Sequence, residues 1–276
     1  MAVSIDNEER AAASAAALVA TRRPGLSRGG VLLWRFASVA LFCATWEIAG
    51  QIPINLAFPP FSATVAAFGR MLMDGSLISA YLITLQPLAI GVAISGVFGV
   101  GIGVSMGLRN GIEWIGAPIF IVLQAAPVAA IIPLVTFVYG IGMTAKVVAV
   151  CLLALPVTVL NCYKAVRNID ASLVAMCRSF LGTPAQQVFK IVLPDASPLI
   201  FAGLRLGVSA GFIGIVLAEL LITPTGIGDL ITYHRAVADY AEMYAVIASI
   251  IIFSAVTLAG LQWVEETVFR PEKKGH

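Results

Sequence analysis

Charge is scarce in this sequence. Only 12% of its 276 residues are Asp, Glu, Lys or Arg, about half the share found in soluble domains. So few charges disfavour a soluble helical protein with a greasy core. Histidine is almost absent, and His234 and His276 are too few for a histidine-based metal centre. The four cysteines, Cys43, Cys151, Cys162 and Cys177, form no CxxC pair. They read as small reduced core residues, with neither a disulfide framework nor a metal site. No GxxxxGK[ST] phosphate loop is present, which excludes ATP binding by that route. The apolar stretches hold no cluster of His or Asp/Glu, so a membrane-embedded enzyme is not supported and no catalytic residue is assigned. A net charge of +2 gives no reason to expect a nucleic-acid partner.

What the sequence does contain is apolar length. Hydrophobic residues make up 59% of the chain, and they fall in runs of roughly 20, enough for a helix to cross a hydrocarbon core of about 30 Å. The reading is an all-α membrane protein of about six transmembrane helices, near 31–50, 80–105, 115–139, 144–163, 199–222 and 243–264. Residues 1–30 are a basic, alanine-rich tail, 31–265 the membrane domain and 266–276 a second tail. Thr21-Arg22-Arg23 superficially matches a twin-arginine signal. No convincing cleavage site follows 31–50, so the arginines read as the flank of a first span. Between the first two spans, Phe58-Pro59-Pro60 leads into an amphipathic stretch, Ser62 to Met73, suited to the interface with lipid headgroups.

Lysine and arginine set the orientation. With the N-terminus inside, the cytoplasmic side receives its arginines together with Arg109, Lys164, Arg167, Arg178, Lys190, Arg270, Lys273 and Lys274, and the outside only Arg70, Lys146 and Arg235. Both termini are therefore expected in the cytoplasm. The longest cytoplasmic connection is 164–196. Ala171 to Leu181 can form a helix that places Leu173, Met176, Cys177 and Phe180 on one face. Gly182-Thr183-Pro184 breaks it, and Ala185 to Leu193 can form a second helix before a turn at Pro194. An apolar face outside the bilayer needs a cover, which points to a docking surface for a soluble partner.

This loop resembles the cytoplasmic "EAA" loop of ABC importer permeases that work with a binding protein, in the version found in sulfonate, taurine and nitrate permeases. Asp170, Leu173, Arg178, Phe180, Gln186, Phe189, Ile191, Leu193 and Pro194 fit it, and Gly203-Leu204-Arg205, Ala218-Glu219 and Gly226-Ile227-Gly228 continue it. Upstream, 126–134 and Tyr139-Gly140-Ile141-Gly142 look like the family's third-span ending. Three positions depart: Ala175 stands where the family has Glu, Cys177 where it has Ala and Leu181 where it has Gly. Leucine is disfavoured at positive φ, so Gly182 is the expected turn residue.

The resemblance implies the type I ABC importer transmembrane architecture in a bacterial inner membrane. It also implies a separate ATPase subunit in two copies, carrying ATP and Mg, and a periplasmic binding protein that delivers a small solute, a sulfonate, taurine or nitrate. This chain would carry no cofactor and would pair with a second permease copy, read here as a homodimer. The ATPase contact would comprise Asp170, Leu173, Ala175, Met176, Arg178, Ser179, Phe180, Gly182, Gln186 and Phe189.

Polar residues inside spans mark candidate path positions, because they are costly in lipid. Arg205 and Glu219, fourteen residues apart in span five, lie about 40° apart around a helix. Ser209, Phe212 and Val216 share that stripe, and Gln86 and Gln124 are further candidates. Arg205 reads as a path residue or as a side chain snorkelling to headgroups. Glu219 reads as a path residue, an outer cap, or a gate or helix-positioning residue, the last favoured over a substrate ligand because paired acids would repel an anion. A secondary transporter or a channel subunit is the competing class. No internal repeat or filter motif supports either.

Overall fold

The computed structural model describes residues 28–52, 57–222 and 225–269. Of the expected tails at 1–30 and 266–276, residues 1–27 and 270–276 lie outside the described residues, while 28–30 fall in the first helix and 266–269 in the last. The first unit of the chain carries one helix, α1 (Arg28–Gln51). It is long and apolar enough to cross a membrane.

The second unit, from Asn55 onward, is built from α2 (Phe61–Met73), α3 (Ser76–Leu108), α4 (Asn110–Ala125), α5 (Val128–Tyr139) and α6 (Met143–Arg167). There follow α7 (Ala171–Ser179), α8 (Pro184–Gln187), a π turn over Val188–Val192, α9 (Leu193–Leu221), α10 (Ile227–Ala236) and α11 (Tyr240–Phe269). Counting α1, five stretches can cross a membrane alone, and a sixth if α4 and α5 act as one broken span. All the described secondary structure is helical, as expected in lipid, where a helix satisfies its own backbone polar groups.

The centre of this unit is α6. Lipid tails are as apolar as leucine, so helices in a membrane hold together by close packing, which small residues permit. On α3, Gly91, Ser95, Gly99 and Gly103 recur every fourth residue and are buried. A Cβ on Gly103 would lie 2.5 Å from the Val159 carbonyl oxygen and 2.7 Å from Cys162 Cβ of α6. On α9, Gly203, Gly207, Gly211 and Gly214 are likewise buried. Thr158 of α6 is pressed from both sides, by Gly99 and by Gly207. Its hydroxyl donates to the Ala154 carbonyl at 2.8 Å, inside its own helix. At one end of the unit, Ala67, Met71, Leu77, Ala80, Ile227, Ala245 and Val246 form a core joining α2, α3, α10 and α11. Arg70 of α2 is ion-paired there with Glu242 of α11.

Two expectations need correction. The span expected at 115–139 is not one helix: α4 and α5 meet at a bend of 98°. The cause is Pro127, which lacks an N–H and forces Ala126 into an extended conformation, φ −66° and ψ 138°. Nor does the chain turn at Pro194. From Pro184 to Leu221 the helices run on as one 38-residue stretch. The π turn places the Leu193 N–H on the Val188 carbonyl, and this wider winding accommodates the residue that cannot donate.

Replacing Gly103 by valine should push α3 off α6 and cost about 1–3 kcal/mol through overpacking. Gly101→Val is the control, since its Cβ would meet nothing within 4 Å. Thermal unfolding in detergent checks this, with Gly103→Val clearly lower and Gly101→Val near the parent.

Candidate functional site

The loop after α6 is held by local hydrogen bonds. Asp170 caps α7, its carboxylate accepting from the Ser172 N–H at 2.8 Å. That bond and the Ser172 hydroxyl hold its carboxyl below the usual carboxylate range, so the cap stays charged until pH falls below that range. Thr183 and Gln186 form a reciprocal capping box on α8, with Pro184 in the first turn. Two residues expected at a partner contact, Asp170 and Gln186, are thus helix caps as well.

The turn between the helices differs from expectation. Leu181, not Gly182, has the left-handed backbone, φ 56°. The Leu181 N–H donates to the Arg178 carbonyl and the Gly182 N–H to the Cys177 carbonyl, both at 2.9 Å. This is the Schellman arrangement, in which the residue past the helix end is usually glycine. Leucine there costs roughly 1 kcal/mol more than glycine. Gly182 is needed for a different reason: a Cβ on it would lie 2.5 Å from Cys177 Sγ.

The expected apolar face divides. Leu173 and Cys177 are half-buried. Met176 is 50% exposed, Phe180 81%, Leu181 92% and Phe189 70%. Ala175 and Arg178 line a cavity of about 500 Å³ against the ends of α3 and α6, and Ser179 is exposed beside them. The element therefore carries large apolar side chains in the open, beyond the end of α6.

At the opposite end of α6 lies a site that sequence reading missed. Glu219 is sealed from solvent, and Lys146 Nζ lies 2.7 Å from its Oε1. The same ammonium donates to the Thr225 hydroxyl at 3.0 Å and the Thr225 carbonyl at 3.2 Å, which uses all three of its donors. The Thr84 hydroxyl lies 2.9 Å from the carboxylate and accepts from the Ile227 N–H at 3.0 Å, and the Gly228 N–H donates to Glu219 Oε2 at 3.0 Å. Gly226-Ile227-Gly228 is thereby explained. The segment wraps the carboxylate so closely that a Cβ on Gly226, which has φ +84°, would collide with it and lie 2.6 Å from Thr84 Oγ1.

Glu219 is thus turned to Lys146 and the segment after α9, and it is not among the residues lining the groove that its stripe neighbours form. The other stripe residues, Ser209, Phe212 and Val216, line an apolar groove of about 460 Å³ between α9 and α11. Gln86 lines a separate cavity of about 140 Å³ beside Lys146. Gln124 is exposed on the last turn of α4. Arg205 pairs with Glu265 of α11 at 3.3 Å. The sequence did hold a signal for the buried pair: opposite charges near the same end of two adjacent spans, followed by Gly-x-Gly.

Residues 95–269 match the family described as the binding-protein-dependent transport system inner membrane component. A Bacillus subtilis (strain 168) protein named for aliphatic sulfonates transport, SsuC, is 27% identical over 237 residues, 85% of this chain and 84% of that protein. The taurine transport system permease protein TauC of Escherichia coli (strain K12) is 25% identical over 67% of this chain and 66% of its own length. In fold, the chain is similar to a structure of the inward-facing MetNI methionine ABC transporter. That match has TM-score 0.57 and 19% identity and covers 69% of this chain and 93% of the other.

Removing one member of the buried pair should be far worse than removing both. Lys146→Met strands a carboxylate in the protein interior, at about 3–5 kcal/mol. Adding Glu219→Met removes that charge and should recover much of the loss. Unfolding midpoints of the single and double variants in detergent measure the difference.

Proposed function

The chain belongs to the binding-protein-dependent transport system inner membrane component family, the multi-pass permease subunits of ABC importers, and on that premise we propose that α7, the Leu181 turn and α8 are its seat on the ATPase subunit. The observation that carries this is the exposure of Met176 and Phe180, which lie outside the candidate spans, together with that of Phe189 at the start of the long helical stretch that leads into α9. Side chains of this size left open together mark an interaction site. Family membership supplies the partner, since such a permease works with an ATPase and a binding protein.

In this reading ATP and Mg bind the ATPase, and two permease copies face each other as a homodimer. When two ATPases close on ATP, they draw together the two seated loops. The loop continues into α9 through the π turn without a hinge, so its displacement is passed directly to a span. The helices then rotate as rigid bodies between inward-open and outward-open arrangements.

The relatives named for aliphatic sulfonates and taurine support a small sulfonated anion as the solute. The α9 stripe of Ser209, Phe212 and Val216 offers the path a smooth, weakly polar face. Among its lining residues no cation is present to hold an anion.

Met176→Asp and Phe180→Asp test the seat. Both side chains are exposed, so a charge there should cost the isolated permease little, whereas beneath the ATPase it would be buried without a partner. The expected result is normal membrane insertion with at least a tenfold loss of ATPase affinity, and loss of substrate-stimulated ATP hydrolysis in proteoliposomes. Normal stimulation and uptake in both variants would remove the assignment.

A further inference from the structure

Leu181 combines two features that are each unfavourable for the isolated chain. Its backbone is left-handed, φ 56°, a region that bulky side chains rarely adopt. Its side chain is 92% exposed, so it contributes almost nothing to the packing of the loop. The turn requires the left-handed conformation, because the Leu181 and Gly182 N–H groups close it onto Arg178 and Cys177. Glycine would make the same two bonds without strain. The other non-glycine residue with this backbone among those described is Ala238, φ 59°, which has little side chain to offer. Backbone strain kept in an exposed turn points to a use for the side chain outside the fold.

We propose that Leu181 is an anchor for the ATPase subunit, held by the Schellman turn so that its side chain projects beyond α7 into a pocket on that partner. The proposal rests on the reading of α7 and α8 as the ATPase seat. Its position is continuous with that seat: Phe180 precedes it at 81% exposure and Met176 lies one helical turn back. Polar residues on the same turn, Arg178, Ser179, Thr183 and Gln186, are all exposed, which suits a protein surface better than a lipid interior. Leu181 stands where the resembling loops carry glycine, so a pocket for it would also discriminate between ATPases. An ATPase that matches a glycine turn would lack the space.

The experiment pairs Leu181→Gly with Leu181→Ala. Glycine removes both strain and side chain, and alanine removes the side chain while keeping a Cβ on a left-handed backbone. Glycine should slow amide hydrogen exchange at 181–182 by about fivefold in the free permease, and alanine should not. Both should weaken binding of the cognate ATPase subunit by about tenfold to a hundredfold, the range expected for losing one buried leucine. A gain in local stability with a loss of partner affinity is not produced by a merely structural residue. Unchanged affinity in either variant overturns the proposal, as does faster exchange in the glycine variant. So does an affinity loss seen in lipid nanodiscs but absent in detergent, which would assign Leu181 to the membrane surface. Met176→Asp, measured alongside, separates the levels. If it abolishes binding while Leu181→Gly does not, the seat stands and the anchor falls. If neither has an effect, the seat itself falls.

Discussion

A lysine and a glutamate with almost no access to water organise one end of this permease. Isolated charges in such a place are not tolerated. Lys146 and Glu219 persist there because every polar atom around them is engaged, by each other, by Thr84, by Thr225 and by the amides of Ile227 and Gly228. The bonds join α3, α6 and α9 to the segment that follows α9. They also dictate local sequence, since only glycine at 226 lets the backbone pass so near the carboxylate. The net stability of a buried pair is modest, but losing one partner is severe, so the arrangement enforces one geometry more than it adds strength.

The other constraint is close approach. Glycines on α3 and α9 bring both helices within backbone distance of α6, and packing of that kind leaves little room for independent movement. The two ends of the unit differ accordingly. At one end the ion pair ties the chain after α9 to the spans. At the other, α7, the turn after it and the π turn carry Met176, Phe180, Leu181 and Phe189 in the open. A closely packed helical body suits a subunit that performs no chemistry, and the proposed seat on the ATPase would let it transmit movement made elsewhere.

Much of this could be read from the sequence. Span positions followed from apolar length, and the loop between spans four and five stood out through its helical face and its breaker residues. The rest was hidden for particular reasons. The break at Pro127 fell inside one expected span, because nothing local says whether a proline bends a helix slightly or by 98°. Lys146 was counted toward the outside and Glu219 was weighed alone, because a pair 73 residues apart has no sequence period. Glycines packed against α6 lower an apolar score instead of raising it. At the α7 turn, general preferences pointed to Gly182, and the close contact with Cys177 that fixes Gly182 in its own role appears only in three dimensions.

The most direct test of the central claim, that this loop seats on the ATPase, is site-specific photocrosslinking in the assembled transporter. A photoreactive phenylalanine analogue at Phe189, which is 70% exposed on the π turn, should crosslink to the ATPase subunit in high yield. The same group at Val237, at the far end of the bundle and 54% exposed, should give none. A crosslink to the ATPase from Val237, with none from Phe189, would contradict the assignment.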